Sequence, residues 1–361
     1  MNWVKKIGFF TAFIVPTATI IGFYLGGFWN ALTIALVFFV IPLADYWIGE
    51  DPENLSEDES LKIAESYYYR FITFVWTFFQ LGFLFWGAYM VAFVPLQWWE
   101  LALFSFSFAL VTGGIGITVA HELGHKKSKT EKLYAKILLM TVCYMHFIIE
   151  HNKGHHVHVA TPKDPATGRK NENFYRFWLR SVIGSYLSAW RLERQRLSRK
   201  NIPFWSFKNN MIVYSVLPFL FCGVLYLSAN FLGAPHALWV IPFFFLQSLV
   251  AFSLLEIVNY IEHYGIVRKE LSPGRYERVN PMHSWNSNHR LSNYFLFQLQ
   301  RHSDHHANAI KRYQVLKHYN ESPQLPSGYP AMILLASVPP LWFKWMNPKL
   351  KAWEEAVYAK R

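Results

Sequence analysis

Cysteine is almost missing from this chain: Cys143 and Cys222 are the only two in 361 residues, with no CxxC spacing. Both lie in apolar segments, so neither a disulfide framework nor a cysteine-ligated cluster can be built from them. Charge is scarce as well. Asp, Glu, Lys and Arg make up 16% of the chain, where a soluble domain carries about 25%. Low-complexity stretches, internal repeats and nucleic-acid-binding modules are also lacking. The formal net charge is +12, but the basic residues are dispersed, which argues against a nucleic-acid partner. What the chain has instead is apolar: 53% hydrophobic residues and 19% aromatics. Such a composition needs a bilayer as part of its solvent.

Six apolar runs reach the roughly 20 residues that cross a membrane. They lie near 7–28, 30–48, 71–94, 99–120, 211–232 and 236–260, and they predict an all-α integral membrane protein with six transmembrane helices. The first run follows a basic start, Asn2–Lys6, as a signal peptide does. It is too long for a signal core, lacks a small-residue cleavage site, and leads at once into a second span, so it is expected to be retained. A further run at 331–346 contains Pro339, Pro340 and Lys344 and reads as an interfacial helix.

The short turns near 26–31, 93–98 and 229–236 hold no lysine or arginine, whereas Lys5, Lys6, Lys126, Lys127, the 150–210 segment and everything after 262 lie on the opposite side. The positive-inside rule makes that side the cytoplasm and puts both termini there. The acidic 50–66 loop runs against the trend, but acidic residues count little in this rule. Between the spans, 121–149 reads as a helical hairpin, 161–175 as a loop, 176–200 as an amphipathic helix along the headgroups, and 265–300 as an ordered loop. The expectation is a single membrane domain, residues 1–361, with a cytoplasmic cap built from 121–210 and 261–361.

Histidines gather just past the ends of the apolar runs. His121 and His125 lie in HELGHK, His151, His155 and His156 in EHNKGHH, His263 in NYIEHYG, and His302, His305 and His306 in QRHSDHH. Pairs four apart share one helix face and suit one metal. Adjacent pairs, His155–His156 and His305–His306, diverge by about 100° on a helix and suit two neighbouring metals better than one. HELGH also matches the HExxH pattern of zinc proteases, but that site needs three protein ligands and would leave six clustered histidines without use. A closed structural zinc would call for four ligands with some cysteine. Imidazole by itself does not choose among iron, copper, zinc and nickel. Glu122, Glu150, Glu262 and Asp304 stand beside the ligands. They are expected to orient the rings and offset charge, unless one is itself a ligand. His289 is the best of the remaining histidines for a supporting role, ahead of His158, His283 and His318. His146 reads as a satisfied buried residue, and His236 falls on the opposite membrane face.

Taken together, HELGHK, EHNKGHH, NYIEHYG and LQRHSDHH resemble the four histidine motifs of the membrane alkane 1-monooxygenases, in that family's order. The HYG motif at His263–Gly265 separates that family from the related fatty-acid desaturases. ATPKDPAT, SWNSNH and the SGYP stretch at 327–330 extend the resemblance over most of the chain. It implies a two-iron enzyme that uses dioxygen to hydroxylate the terminal methyl of medium-chain alkanes. It carries the iron ligands onto the nine histidines named above, with the first four as one iron's set. It further implies a bacterial inner-membrane location and electrons from rubredoxin, itself reduced by a rubredoxin reductase. With two isolated cysteines the rubredoxin cannot be fused into this chain, and the basic stretch Arg191–Lys208 is the expected docking surface. A desaturase or an arylmethyl monooxygenase of the xylene type is the alternative within the same chemistry.

An alkane offers no polar handle, so selectivity must come from the shape of an apolar channel. Thr33, Val37 and Ile41 recur on one face of the second span and are candidates for its wall, against ordinary helix packing. Trp76, Phe79 and Phe83 read as bundle filling or lipid contact. A metal transporter would need polar groups within the spans. Asp45 and Glu256, near their ends, are almost all that exist.

Overall fold

A computed structural model describes residues 3–358 of the chain. Six helices are long and apolar enough to cross a membrane: Lys5–Leu25, Gly27–Ile48, Tyr67–Phe93, Trp98–Gly124, Asn210–Phe231 and Ala237–His263. They start and stop within a few residues of the apolar runs, and the protein is an integral membrane protein of helical architecture. One small hairpin, Glu270–Ser272 with Arg275–Tyr276, is the sheet structure among the described residues.

The fourth span is the axis of the bundle. Of its most apolar window 78% is buried, against 22% for the second span. Small residues allow this: a Cβ placed on Gly113 would fall 2.5 Å from the Cα of Ala251 in the sixth span, so only glycine lets the two backbones approach this closely. Gln97 and Glu100 begin the helix with a reciprocal capping box, which satisfies donors the first turn leaves free.

Three stretches are wound as π-helix: Leu36–Val40 in the second span, Leu110–Ile117 in the fourth, and His151–His155 in the cap. Each re-aims the side chains that follow it, and two of them decide the site.

The cap is built on the ends of the third, fourth and sixth spans. Lys129–Met140 packs back on the fourth span, and the amphipathic helix Phe174–Arg199 buries Phe177, Ser181, Ser185, Ala189, Glu193 and Leu197 along one four-residue stripe. Pro339 and Pro340 do not break a helix. They open the last one, Pro339–Tyr358, where their fixed φ and missing N–H cost nothing. That helix is more deeply packed than an interfacial helix requires, since Trp342, Met346 and Leu350 are fully buried with Tyr260 and Tyr264 in one core. Asp45, buried at the end of the second span, accepts the backbone N–H groups of Leu291 (2.8 Å) and Ser292 (3.1 Å). A carboxylate at that helix start is favourable, and it ties the second span to the loop that leads to the last histidine cluster.

Candidate metal centre

The four histidine motifs converge on one place. His121 and His125 ride on the end of the fourth span, His263 on the end of the sixth, His151–His156 on the π-wound cap segment, and His302–His306 on the short helix His302–Ala307. The nine rings form two groups: His121, His125, His151, His156 and His305; then His155, His263, His302 and His306. Within each group one nitrogen per ring lies within 4.8 Å of all the others.

Several of these nitrogens face each other directly. Nε2 of His151 is 3.1 Å from Nε2 of His125 and 3.1 Å from that of His156. In the other group, Nε2 of His302 and His263 are 3.2 Å apart. Nitrogens each roughly 2.0–2.1 Å from a shared metal are separated by about 3 Å, so the donor set fits such an ion. Nε2 of both His121 and His305 is buried without a hydrogen-bond partner, which is the state a ligand atom has when its metal is taken away. Burial, reinforced by neighbouring imidazoles, lowers the pKa of His125, His151, His156, His302, His305 and His306 well below the ordinary value. These rings are therefore neutral near pH 7, with a lone pair to give.

The adjacent pairs His155–His156 and His305–His306 are divided between the two groups, as their angular divergence requires. The first four histidines do not form one set. His155 belongs to the second group, and His156 and His305 complete the first. The π-winding at 151–155 is the cause. It replaces the i, i+4 repeat by i, i+5, so His151 aligns with His156 and His155 turns away.

An apolar cavity runs from the spans to these rings. Val37, Ile41, Leu110 and Leu254 line its body, and His121, His151 and His302 its metal end. Val37 and Ile41 thus face the cavity, whereas Thr33 does not. Its hydroxyl is 2.8 Å from that of Thr19 in the first span, because the π segment at Leu36–Val40 rotates the helix between Thr33 and the wall.

A fatty acid desaturase family profile matches residues 96–336. The chain is 46% identical to "Alkane 1-monooxygenase 2" of Pseudomonas aeruginosa over 90% of this chain and 85% of that protein. It is 40% identical to "Alkane 1-monooxygenase 2" of Alcanivorax borkumensis over 98% of this chain and 92% of the relative. The chain belongs to the alkane 1-monooxygenase family. A xylene/toluene monooxygenase hydroxylase component of Pseudomonas putida stands further off, 29% identical over 69% of this chain and 64% of that protein. Within the broader desaturase family, then, this chain sits with the alkane monooxygenases, and the clusters belong to a non-haem iron family.

The carboxylates beside the ligands divide in a way spacing alone does not foretell. Glu262 reaches a ring: its Oε2 is 3.1 Å from His302 Nε2, and Oε1 accepts from the Tyr329 hydroxyl at 2.6 Å. The others hold the ligand-bearing loops instead of the rings. Glu122 pairs with buried Lys126 at 2.9 Å. Glu150 Oε2 accepts the backbone N–H of His155 at 3.2 Å, and burial with nearby Asp164 pushes its pKa up to about 7. Asp304 takes Lys311 (2.5 Å), the N–H of Lys317 (2.7 Å) and the Tyr319 hydroxyl (3.2 Å). His289 bonds the Ser287 hydroxyl at 2.9 Å, and His318 and His283 are likewise engaged with cap residues, Asn288 and Glu277.

Asp164 was hidden in the turn-rich 161–175 loop. Its Oδ2 is 2.9 Å from His155 Nδ1, and it also accepts from the Thr167 hydroxyl and the Ala166 N–H. Burial alone would lower the His155 pKa, but the Asp164 carboxylate outweighs it and holds the ring above its ordinary value. Burial would correspondingly raise Asp164, and His155 brings it below. Its only sequence signal was position: an aspartate eight residues past a histidine pair, inside ATPKDPAT.

Proposed function

We propose that this chain hydroxylates the terminal methyl of medium-chain n-alkanes to 1-alkanols, with two iron ions held by the nine histidines. The observation that carries this reading is the apolar cavity that ends on both histidine groups at once. It suits a substrate without polar groups and offers its far end to the metals.

His121, His125, His151, His156 and His305 would hold one iron, and His155, His263, His302 and His306 the other. Bound iron supplies dioxygen activation, one oxygen atom entering a C–H bond and the other leaving as water, with two electrons and two protons consumed. The chain's own residues do the rest. Asp164 keeps the His155 proton on Nδ1 and so turns the Nε2 lone pair inward. Tyr329 fixes the Glu262 carboxyl between the cavity and His302. Val37, Ile41, Leu110 and Leu254 exclude water and align the chain so that one methyl reaches the metal end.

The electrons are proposed to come from a separate rubredoxin served by its reductase. Exposed Arg191, Arg194, Arg199, Lys200 and Lys208 offer an acidic protein a basic surface beside the cap. The cap, the site and both ends of the chain are proposed to face the cytoplasm, with the spans in a bacterial inner membrane. The end residues themselves, 1–2 and 359–361, lie outside the described part. The test is conversion of n-octane to 1-octanol by the iron-loaded protein with rubredoxin and reductase. An unsaturated product from a fatty-acyl substrate, with octane untouched, would move the assignment to a desaturase.

A further inference from the structure

Two more cavities lie in series beyond the apolar one. Phe147, His151 and Asn259 line both the apolar cavity and a narrow second pocket. Glu150, Glu256 and Ser185 also face that pocket. Its far wall is His146, which in turn lines a third, more open cavity. The third lies between Tyr186 on the amphipathic helix and Tyr214, Ser215 and Phe219 on the fifth span. Phe219 is 62% exposed and its neighbour Leu220 59%, so this cavity borders the surface that lipid covers.

His146 is not a satisfied core residue. It is 93% buried, its exposure being 7%, yet its Nε2 has no hydrogen-bond partner. Burial pushes its pKa down to about 4, so the ring is neutral. Glu150 Oε1, in the second pocket, is also buried and unpartnered. Buried polar atoms left without partners are costly, and these two along one path, a neutral imidazole nitrogen and a carboxyl oxygen, point to a ligand with a hydroxyl.

We infer that this path is the exit of the aliphatic primary alcohol, which rests in the third cavity with its hydroxyl on His146 and its chain along Phe219 and Phe245. The inference rests on the hydroxylation reading above. An alkane has nothing to offer His146, so the apolar cavity remains its way in. Once hydroxylated, the molecule carries a polar group that the aliphatic body of the first cavity, Val37, Ile41, Leu110 and Leu254, cannot satisfy, and Asn259, shared by the two cavities, leads it toward Glu150 and Glu256. A fatty-acid carboxylate or a phospholipid headgroup is disfavoured, because Glu150 and Glu256 already hold two carboxyl groups in the adjoining pocket.

The experiment uses the iron-loaded protein in lipid nanodiscs and a primary alcohol with a diazirine at the far end of its chain. Photolysis is expected to label residues 214–219, with 1-octanol competing and n-octane not. Ser215→Trp, which fills the third cavity, and His146→Phe, which keeps the ring volume, should each reduce that labelling at least five-fold. Ser215→Trp should also lower steady-state octane turnover at least three-fold and leave the first-turnover rate and the iron content as in Leu220→Trp, a lipid-facing control. Labelling elsewhere, or equal competition by octane, overturns the alcohol site. Loss of labelling with steady-state turnover intact, or an equal loss of first-turnover rate, overturns the exit. If octane is not hydroxylated by the unaltered protein while the alcohol label persists, the hydroxylation reading fails and the alcohol site stands.

Discussion

Asp164 decides which nitrogen of His155 carries the proton, and this is the residue-scale feature that spacing rules could not reach. Nine ligand candidates were visible because histidine is rare in apolar sequence and these nine sit in tight motifs. Asp164 was not, because a ring and the carboxylate that orients it need only meet in space. Asp164→Asn is expected to bring a 10–100-fold loss in activity or in affinity for the iron proposed for the His155 group, the usual cost of such a partner. Iron titration of the purified variant reads this out, and an unchanged second binding event would count against it. Protonation acts at the same scale. Six of the histidines have folded-state pKa values below their ordinary one, so the unfolded chain binds more protons than the folded one as pH falls. Their contribution to stability is therefore whole above about pH 6.5 and is lost below it. Metal-free protein in detergent should melt at a lower temperature at pH 5.5 than at pH 7.5, and the reverse order would refute the neutral-ring assignment.

Among the elements, the spans were legible and the π segments were not. Twenty apolar residues announce a membrane helix whatever their winding, which is why the six runs match the six helices closely. An extra residue in one turn leaves hydropathy unchanged but rotates everything after it. That rotation separates Thr33 from the wall formed by Val37 and Ile41, and it moves His155 out of the group that four-residue spacing assigns it. Two substitutions distinguish these positions. Val37→Trp should shorten the longest alkane accepted by several carbons in a product assay across chain lengths, since it fills the cavity. Thr33→Val should leave that profile unchanged and lower the melting temperature instead, because it removes the buried hydroxyl–hydroxyl bond to Thr19 and leaves Thr19 only the Val15 carbonyl. A changed profile in Thr33→Val, or an unchanged one in Val37→Trp, would contradict the placement.

For the molecule as a whole, scarce charge and long apolar runs gave the membrane architecture, and the motif set gave the family. The cavity was not legible in the same way. It is a shape made by four spans and several cap helices together, and no one segment carries its signature. The electron partner is likewise a property of the whole surface. Reversing the charge of Arg191, Arg194 and Lys208 together should raise the KM for rubredoxin several-fold and flatten its dependence on salt, with the alkane KM unchanged. Kinetics indifferent to the reversal would place the docking surface elsewhere.

The central claim is that two groups of imidazoles, five and four, hold two irons at the end of an alkane cavity. The most direct measurement is the iron content of purified protein that is turning over octane with rubredoxin. Two irons per chain are expected. One iron per chain, or zinc with no turnover under reducing conditions, would contradict the account.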